Sequence, residues 1–145
     1  DAGADANTVD TVLGYTPLIW AAGFGDTDSV AILLEAGADV SVNDLAEGRT
    51  PLMHAVRTGK IEAVALLIKA GAKVNGIDNK KSTALHIGAG SNNVTLDKIE
   101  LLVASGVEVN AKNSSGETAL DLAKLRTDDN GSMIVEYLSN LISSE

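Results

Sequence analysis

Two histidines are the side chains of this sequence that best suit catalysis or metal binding. His54 and His86 each follow a Thr-Pro-Leu or Thr-Ala-Leu tripeptide. A metal site would need both rings to converge on one point, together with a third ligand at helical spacing, and no such ligand accompanies them. The chain has no cysteine, which excludes Cys-based metal and redox sites. We therefore predict no metal site and equivalent structural roles for the two histidines.

Two short motifs resemble parts of ligand-binding loops without completing them. Asp128-Asp129-Asn130-Gly131 lacks the first ligand and the closing Glu of a calcium loop. Gly88-Ala89-Gly90 lacks the preceding strand, the Lys and the Ser/Thr of a phosphate loop. No Ser/His/Asp arrangement or carboxylate pair stands out. The sequence therefore predicts a protein that is not an enzyme and needs no cofactor.

The charge of the chain narrows the class of partner. The formal net charge of -9 over 145 residues argues against nucleic-acid binding. No apolar run is long enough for a membrane span, and the lack of cysteine fits an intracellular, cytoplasmic location. Residues 1–48 are acidic, 49–112 carry an excess of Lys and Arg, and 113–145 are acidic again. This pattern either serves solubility or matches the charges of a partner protein.

Two motifs recur with one shared period. Thr-Pro-Leu or Thr-Ala-Leu begins at Thr16, Thr50, Thr83 and Thr118. A second series, typified by Ala-Gly-Ala-Asp, is centred on Gly3, Gly37, Gly71 and Gly106. Because two independent motifs repeat every 33 to 35 residues, the sequence predicts a stacked array of similar units.

Each unit has the signals of two short helices. The Thr is a predicted N-cap, followed by Pro or Ala at the first helical position, as in a helix from Pro17 to Ala22. A glycine such as Gly25 then separates it from a second helix with one apolar stripe. A glycine two residues before the Thr predicts a tight turn with positive φ. Lys81 replaces that glycine in the third unit, so we expect a strained or altered turn there.

Gly-x-Thr-Pro-Leu, a helix-breaking Gly, and then Leu-Leu-x-x-Gly-Ala-Asp-Val resemble the ankyrin repeat over essentially the whole chain. The resemblance implies an all-α ankyrin-repeat solenoid of helix-turn-helix units with projecting hairpin-like fingers. It also implies that the histidines form hydrogen bonds between adjacent units. The predicted divisions are the tail of a truncated repeat (1–13), repeats at 14–47, 48–80 and 81–115, and a C-terminal capping repeat (116–145).

Three departures from the repeat pattern carry expectations of their own. The third repeat has extra residues between its helices, in the loop 90–94, which we expect to bulge. The last repeat has an unusual link at 126–131 before a final helix from Met133 to Ile142, whose polar outer face suits a cap. The first complete repeat follows only a repeat tail, so we expect an exposed apolar end with possible self-association there.

The resemblance implies partner binding through the finger tips and the concave face of the first helices. Tyr15 and Phe24 are the preferred anchors. Trp20 is a third predicted partner-binding residue, although its position usually points into the core. Arg49 and Arg57 add positive charge and could clamp a carboxylate. The remaining predicted partner-binding residues are Leu13, Ile19, Leu45, Glu47, Met53, Lys80, Ser82 and Ser91. The surface just before each inter-helix turn also includes Gly23, Thr58, Gly90, Leu125 and Arg126.

Two functions remain open from the sequence. The first is a protein-protein interaction module that binds a separate partner. The second is an intramolecular scaffold segment of a larger multidomain protein. Asn75 and Asn110 also resemble asparagines that are hydroxylated in some ankyrin proteins, although a role in capping a finger is the favoured explanation.

Overall fold

The computed structural model describes residues 5–144. Within that range the chain forms eight helices and no β-strand, as the all-α prediction required. The helices are α1 (Pro17–Phe24), α2 (Thr27–Glu35), α3 (Pro51–Thr58), α4 (Ile61–Lys69), α5 (Ala84–Gly90), α6 (Leu96–Ala104), α7 (Ala119–Ala123) and α8 (Asp129–Ser143).

The first helix of every unit begins at the predicted threonine. Thr16, Thr50, Thr83 and Thr118 are extended N-cap residues, and each hydroxyl accepts a hydrogen bond from the backbone N–H three residues on. Pro occupies the first turn of α1 and α3, where it sacrifices no intrahelical bond. These caps fix where each unit starts and therefore set the register of the stack.

The helices stack in two rows. Helices α1, α3, α5 and α7 follow one another in the first row, and α2, α4, α6 and α8 follow in the second. The first row packs more closely, since buried small residues such as Ala22, Ala55 and Ala89 let its helices approach. The ankyrin resemblance implies a stack that curves toward its first helices, and the closer packing of the first row agrees with that. We call the exposed side of the first row the concave face.

A hairpin-like finger precedes the first helix of each unit. The four fingers span 10–15, 44–49, 78–82 and 113–117, and a backbone hydrogen bond from their first residue to their last closes each one. Their first residues, Asp10, Asp44, Asp78 and Asn113, accept hydrogen bonds from backbone N–H groups of the turn. The sequence analysis missed this series, although its members recur at the spacing of the repeat.

Neighbouring fingers are joined by single backbone hydrogen bonds. Leu45 N–H donates to Leu13 C=O at 2.8 Å, and Asn79 and Ser114 donate in the same way to the finger before their own. The predicted glycines Gly14, Gly48 and Gly116 have φ near +70 to +77°. Lys81 keeps the same left-handed backbone at φ 57°, which costs a residue with a side chain about 1 kcal/mol. The third finger therefore retains its shape under strain.

Two helix boundaries differ from the sequence-based expectation. Helix α1 continues to Phe24 rather than ending at Ala22. Helix α8 begins at Asp129, four residues before Met133, although Asn130 and Gly131 are weak helix formers. A Cβ at Gly131 would lie 2.5 Å from Arg126 Cβ, so the glycine admits the Arg126 side chain into the first turn of α8.

Two buried cationic side chains connect neighbouring units at the C-terminal ends of first-row helices. Lys98 Nζ donates hydrogen bonds to the carbonyls of Val56 and Gly59 at the end of α3. Arg126 does the same for the loop after α5 and also pairs with Asp128. Carbonyls at a helix C-terminus have no intrahelical partner and carry negative partial charge, so a cation is the appropriate cap.

No pair of helices precedes the first complete unit among the described residues. Leu33 of α2 is only partly buried, whereas its equivalents Leu67 and Leu102 are fully buried. Ile32 beside it is exposed. The expected apolar end is therefore present, and its self-association stays a prediction.

An asparagine bridge connects some of the segments that follow the second helices. Asn75 donates to Gly106 C=O at 3.3 Å and accepts from Glu108 N–H at 2.7 Å. Asn7 makes the same pair of contacts with Gly37 and Asp39. Asn75 therefore has the capping role, and nothing in the contacts bears on its hydroxylation or on that of Asn110.

Replacing Ser41 by asparagine is expected to stabilise the protein. Ser41 occupies, in the intervening unit, the position that Asn7 and Asn75 hold in theirs. Ser41 and Lys73 both line a cavity of about 230 Å³. Asparagine there would reach Gly71 C=O and Lys73 N–H, which should raise the free energy of unfolding by about 1 kcal/mol. Denaturant titration of Ser41→Asn beside Ser41→Ala measures this, and equal stability of the two variants would refute it.

Candidate functional site

Three aromatic side chains cluster on the concave face of the first unit. Trp20 and Phe24 lie one helical turn apart on α1, and their rings stack with centroids 5.7 Å apart and planes 11° from parallel. Tyr15, at the end of the first finger, meets the Trp20 ring edge-on at 4.9 Å. Trp20 is 44% exposed and Phe24 is 76% exposed. The cluster is therefore an aromatic surface that solvent or a partner can reach.

A groove of about 330 Å³ runs from this cluster to α3. We call it the aromatic groove, and its lining residues are Tyr15, Ile19, Trp20, Gly23, Phe24, His54, Arg57 and Thr58. Thr58 Oγ1 donates to Gly23 C=O at 2.7 Å and so joins α3 to α1 beneath it. The absence of a side chain at Gly23 leaves the groove open.

The expectation that Trp20 points into the core is wrong. Its equivalent in the second unit, His54, is buried because its ring reaches the carboxylate of Asp44 in the preceding finger. In the first unit both oxygens of the equivalent Asp10 accept backbone N–H groups of the turn, whereas in the second unit the turn uses only Oδ1 of Asp44 and leaves Oδ2 for His54. The indole therefore has no polar partner inward and lies over Tyr15 and Phe24 instead.

His54 and Asp44 form a buried pair under the groove. His54 Nε2 lies 2.7 Å from Asp44 Oδ2, and the Tyr15 ring covers the imidazole edge-on at 5.2 Å. Burial lowers the pKa of His54 below its ordinary value, against the opposing effect of Asp44. Burial opposes ionisation of Asp44, but hydrogen bonds from Glu47 N–H and from His54 outweigh it and lower the pKa of that carboxyl. At neutral pH a neutral imidazole therefore donates Nε2–H to a carboxylate.

The His54–Asp44 pair should make stability fall as the pH drops below about 6.5. The folded-state pKa of His54 is lowered, so the unfolded chain takes up a proton first, near its ordinary pKa of about 6.5. The stabilisation is complete above that pH and is lost as the pH falls toward the folded-state pKa, with a slope of at most about 1.4 kcal/mol per pH unit. Denaturant titrations between about pH 7.5 and pH 5 should show this slope in wild type but not in His54→Gln. Equal slopes would contradict it.

His86 has the inter-unit role that the resemblance implied, but His54 is not its equivalent. His86 Nδ1 accepts from Thr83 N–H, and its Nε2 lies 3.0 Å from Glu117 C=O in the next finger. His86 stands three residues after its N-cap threonine, a position held by Met53 in the second unit. His54 stands four residues after Thr50, so the two rings lie in different settings and share no ligand site.

The two arginines near the groove differ in their partners. Arg49 pairs with Glu47 at 2.7 Å across the second finger. Arg57 lines the aromatic groove and forms no ion pair with any described residue. The Nε atoms of both arginines are buried without a hydrogen-bond partner. Both atoms are enclosed by the protein, so an occupant of the groove would meet the partly exposed remainder of the Arg57 side chain rather than its Nε.

The other predicted contact residues divide by exposure. Met53 is 1% exposed and Ser82 is also buried, so the prediction that they contact a partner directly is wrong. Ile19 is equally buried and contributes to the contact surface only where it borders the aromatic groove. Leu13 and Leu45 are exposed on adjacent fingers, and Glu47 and Lys80 are exposed on the second and third fingers. These four exposed residues form what we call the finger surface, which is separate from the aromatic groove.

The loop of the third unit is held from within the fold. Ser91 is partly buried, and its hydroxyl donates to Ile87 C=O at 2.6 Å. Arg126, mapped from the sequence to the binding surface, is buried and donates to Asn92 C=O and Val94 C=O. The prediction that Arg126 belongs to the binding surface is therefore wrong, because its buried side chain holds the inserted residues through their carbonyl groups.

Within residues 5–144 no cluster of three or more His, Asp or Glu side chains could hold a metal ion. Among the same residues, no helix has both the length and the apolar character that crossing a membrane demands.

The comparison with known families rests on the same repeated motifs. A family model for ankyrin repeats, written as three copies, matches residues 2–78, which is just over half of the chain. The match ends before the third complete unit, where Lys81 and the longer link between helices depart from the pattern. A search of curated proteins finds no significant match. The matched repeats and the stacked pairs of short helices show that this chain belongs to the ankyrin-repeat family.

Proposed function

We propose that this protein is a protein-protein interaction module and that the aromatic groove is its principal contact site. Ankyrin repeats are generally protein-protein interaction modules, rather than enzymes. The observation that carries the proposal is the exposure of the stacked Trp20 and Phe24 rings beside the unpaired Arg57. Trp, Tyr and Arg dominate the binding energy of protein interfaces. An exposed apolar patch on a protein surface commonly marks a site of interaction with another protein.

The finger surface extends the proposed contact area. Val12, Leu13 and Leu45 are exposed apolar side chains on the first two fingers, and Leu45 and Leu13 are joined through the backbone. A typical interface buries about 800 Å² on each partner, which is more than the groove alone provides. We therefore include Leu13, Leu45, Glu47 and Lys80 in the proposed contact surface, with the groove as its centre.

Affinity pull-down from cell lysate tests the groove as the contact site. Wild-type protein should retain a partner that the double variant Trp20→Ser/Phe24→Ser loses, because one interface anchor is worth about 2 kcal/mol or about 30-fold in affinity. A second variant, Gly23→Met, fills the groove without removing any of its residues. A Cβ at Gly23 makes only ordinary contacts, the nearest being Thr58 Oγ1 at 3.7 Å, so this variant should fold.

The matched control is Met133→Ser, which removes an exposed apolar side chain from α8. It should retain the same partner as wild type, and circular dichroism should show all variants folded. Retention of that partner by both groove variants would refute the groove as the site and move attention to the fingers. If the folded wild type retains nothing, the intramolecular scaffold is the better proposal, because the natural contact would then be another part of the same parent chain.

The exposed end of the first unit allows a separate proposal of self-association. Ile32 and Leu33 would be covered if two copies met at this end. Analytical ultracentrifugation should then show a concentration-dependent dimer for wild type and a monomer for Ile32→Ser. A monomer in both cases would remove this proposal without affecting the groove.

A further inference from the structure

We infer that the aromatic groove recognises an acidic peptide segment of its partner, with an apolar side chain seated against Trp20 and Phe24 and a carboxylate paired with Arg57. This inference rests on the proposed function and adds the chemistry of the occupant. The charge of the groove, the partly exposed Arg57 side chain and the size of the groove support it.

Arg57 is the one lining residue that carries a formal charge at neutral pH. Burial lowers the pKa of the lining residue His54, which favours its neutral form. Asp44 below the groove is already engaged by His54 and by backbone N–H groups. Glu47 is paired with Arg49. The groove therefore presents positive charge to an occupant, in contrast to the net charge of -9 of the chain.

Arg57 supplies hydrogen-bond donors as well as charge. Its side chain is partly exposed in the groove and forms no ion pair with any described residue. The two terminal nitrogens of a guanidinium can donate in parallel to both oxygens of a carboxylate, whereas the Nε of Arg57 is enclosed by the protein. A carboxylate on the occupant would pair with the terminal N–H groups, which a neutral or basic segment would leave to water.

The size and shape of the groove favour one large side chain. A volume of about 330 Å³ is at the lower end of the range of small-ligand sites, about 300 to 1,000 Å³. The parallel Trp20 and Phe24 rings present flat apolar surfaces to a further aromatic or long aliphatic side chain. Nucleic acid would offer rings and negative charge as well, but its phosphate backbone would be repelled by the acidic residues of the chain.

Selection from a random peptide library displayed on phage tests this inference without knowledge of the partner. Wild-type protein should enrich peptides that combine an aromatic or large aliphatic residue with Asp or Glu, and the groove-filling variant Gly23→Met should not. Enrichment of groove-dependent peptides that lack acidic residues would overturn this inference while leaving the proposed function in place. If no enriched peptide depends on the groove, both proposals fail.

The enriched peptide is then titrated against the protein, with Trp20 fluorescence as the signal, since Trp20 is the only tryptophan in the chain. Changing its Asp and Glu to Asn and Gln should weaken binding to wild type by about tenfold or more, as expected for charge-assisted hydrogen bonds. Arg57→Gln should abolish that difference. Lys112→Gln, which removes the same charge before the fourth finger, should preserve it. An equal effect of the two variants would show general charge attraction and overturn the pairing with Arg57.

Discussion

Replacing Arg126 by methionine is expected to lower the free energy of unfolding by about 3 kcal/mol, because it leaves several buried carbonyls without a donor. Its guanidinium donates to the carbonyls of Ala89, Asn92 and Val94, and its Nε donates to Asp128 Oδ1 at 2.8 Å. Methionine keeps the apolar stem but leaves those carbonyls and the carboxylate without a donor. Denaturant titration followed by circular dichroism measures the loss.

Lys124→Met is the matched control for Arg126→Met. It removes the same charge from an exposed side chain two residues away and should change stability by less than about 0.5 kcal/mol. The loss in Arg126→Met should also begin in the last unit, because stability in a repeat array is a sum of local terms. The unfolding transition followed by Trp20 fluorescence, which reports the first unit, should then have a higher denaturant midpoint than the transition followed by circular dichroism. A loss below about 1 kcal/mol would show that Arg126 does not hold the units together.

Replacing Gly59 by alanine is expected to destabilise the protein by about 3 kcal/mol through overpacking. Gly59 has an extended backbone with φ -87°, so backbone strain has no part in this effect. A Cβ there would lie 2.4 Å from Ala22 C=O and 2.8 Å from Ala55 C=O. Because both are main-chain atoms, relief requires α1 to move away from α3. The aromatic groove spans these two helices, so binding should weaken as well.

Gly37→Ala separates this contact effect from backbone strain. Gly37 has φ +88°, and a Cβ there meets nothing within 4 Å. Its replacement should cost about 1 kcal/mol from strain alone. Thermal and denaturant unfolding of the two variants gives the comparison. A smaller loss in Gly59→Ala than in Gly37→Ala would mean that the first two units are not in close contact at Gly59.

Most of the fold could be predicted because its signals are local and repeated. A cap threonine, a proline at the first turn and a glycine after the second helix act within a few residues of themselves. The start of α8 could not be predicted in this way. Asn130 and Gly131 locally disfavour a helix. Gly131 is needed because the Arg126 side chain packs against it, and this contact exists only in the folded protein.

The site was less predictable because it depends on contacts between units. Tyr15, Phe24 and Arg57 were identified from their positions, and the structure brings all three to one groove. The exposure of Trp20 depends on what Asp10 binds, which its position in the repeat does not reveal. Ile19 and Met53 come directly after the Thr-Pro-Leu motif, where the sequence predicted contact residues. The direction in which the helix points their side chains buries them instead.

Site-specific photo-crosslinking tests most directly the claim that the partner occupies the aromatic groove. A benzophenone amino acid would replace Phe24 on the concave face, and in a second protein it would replace Glu136, which is exposed on α8. After irradiation in lysate, we expect a crosslinked partner from position 24, its loss when Gly23→Met is added, and no such product from position 136. The same product from position 136, or one from position 24 that persists with Gly23→Met, would show that the partner does not occupy the aromatic groove.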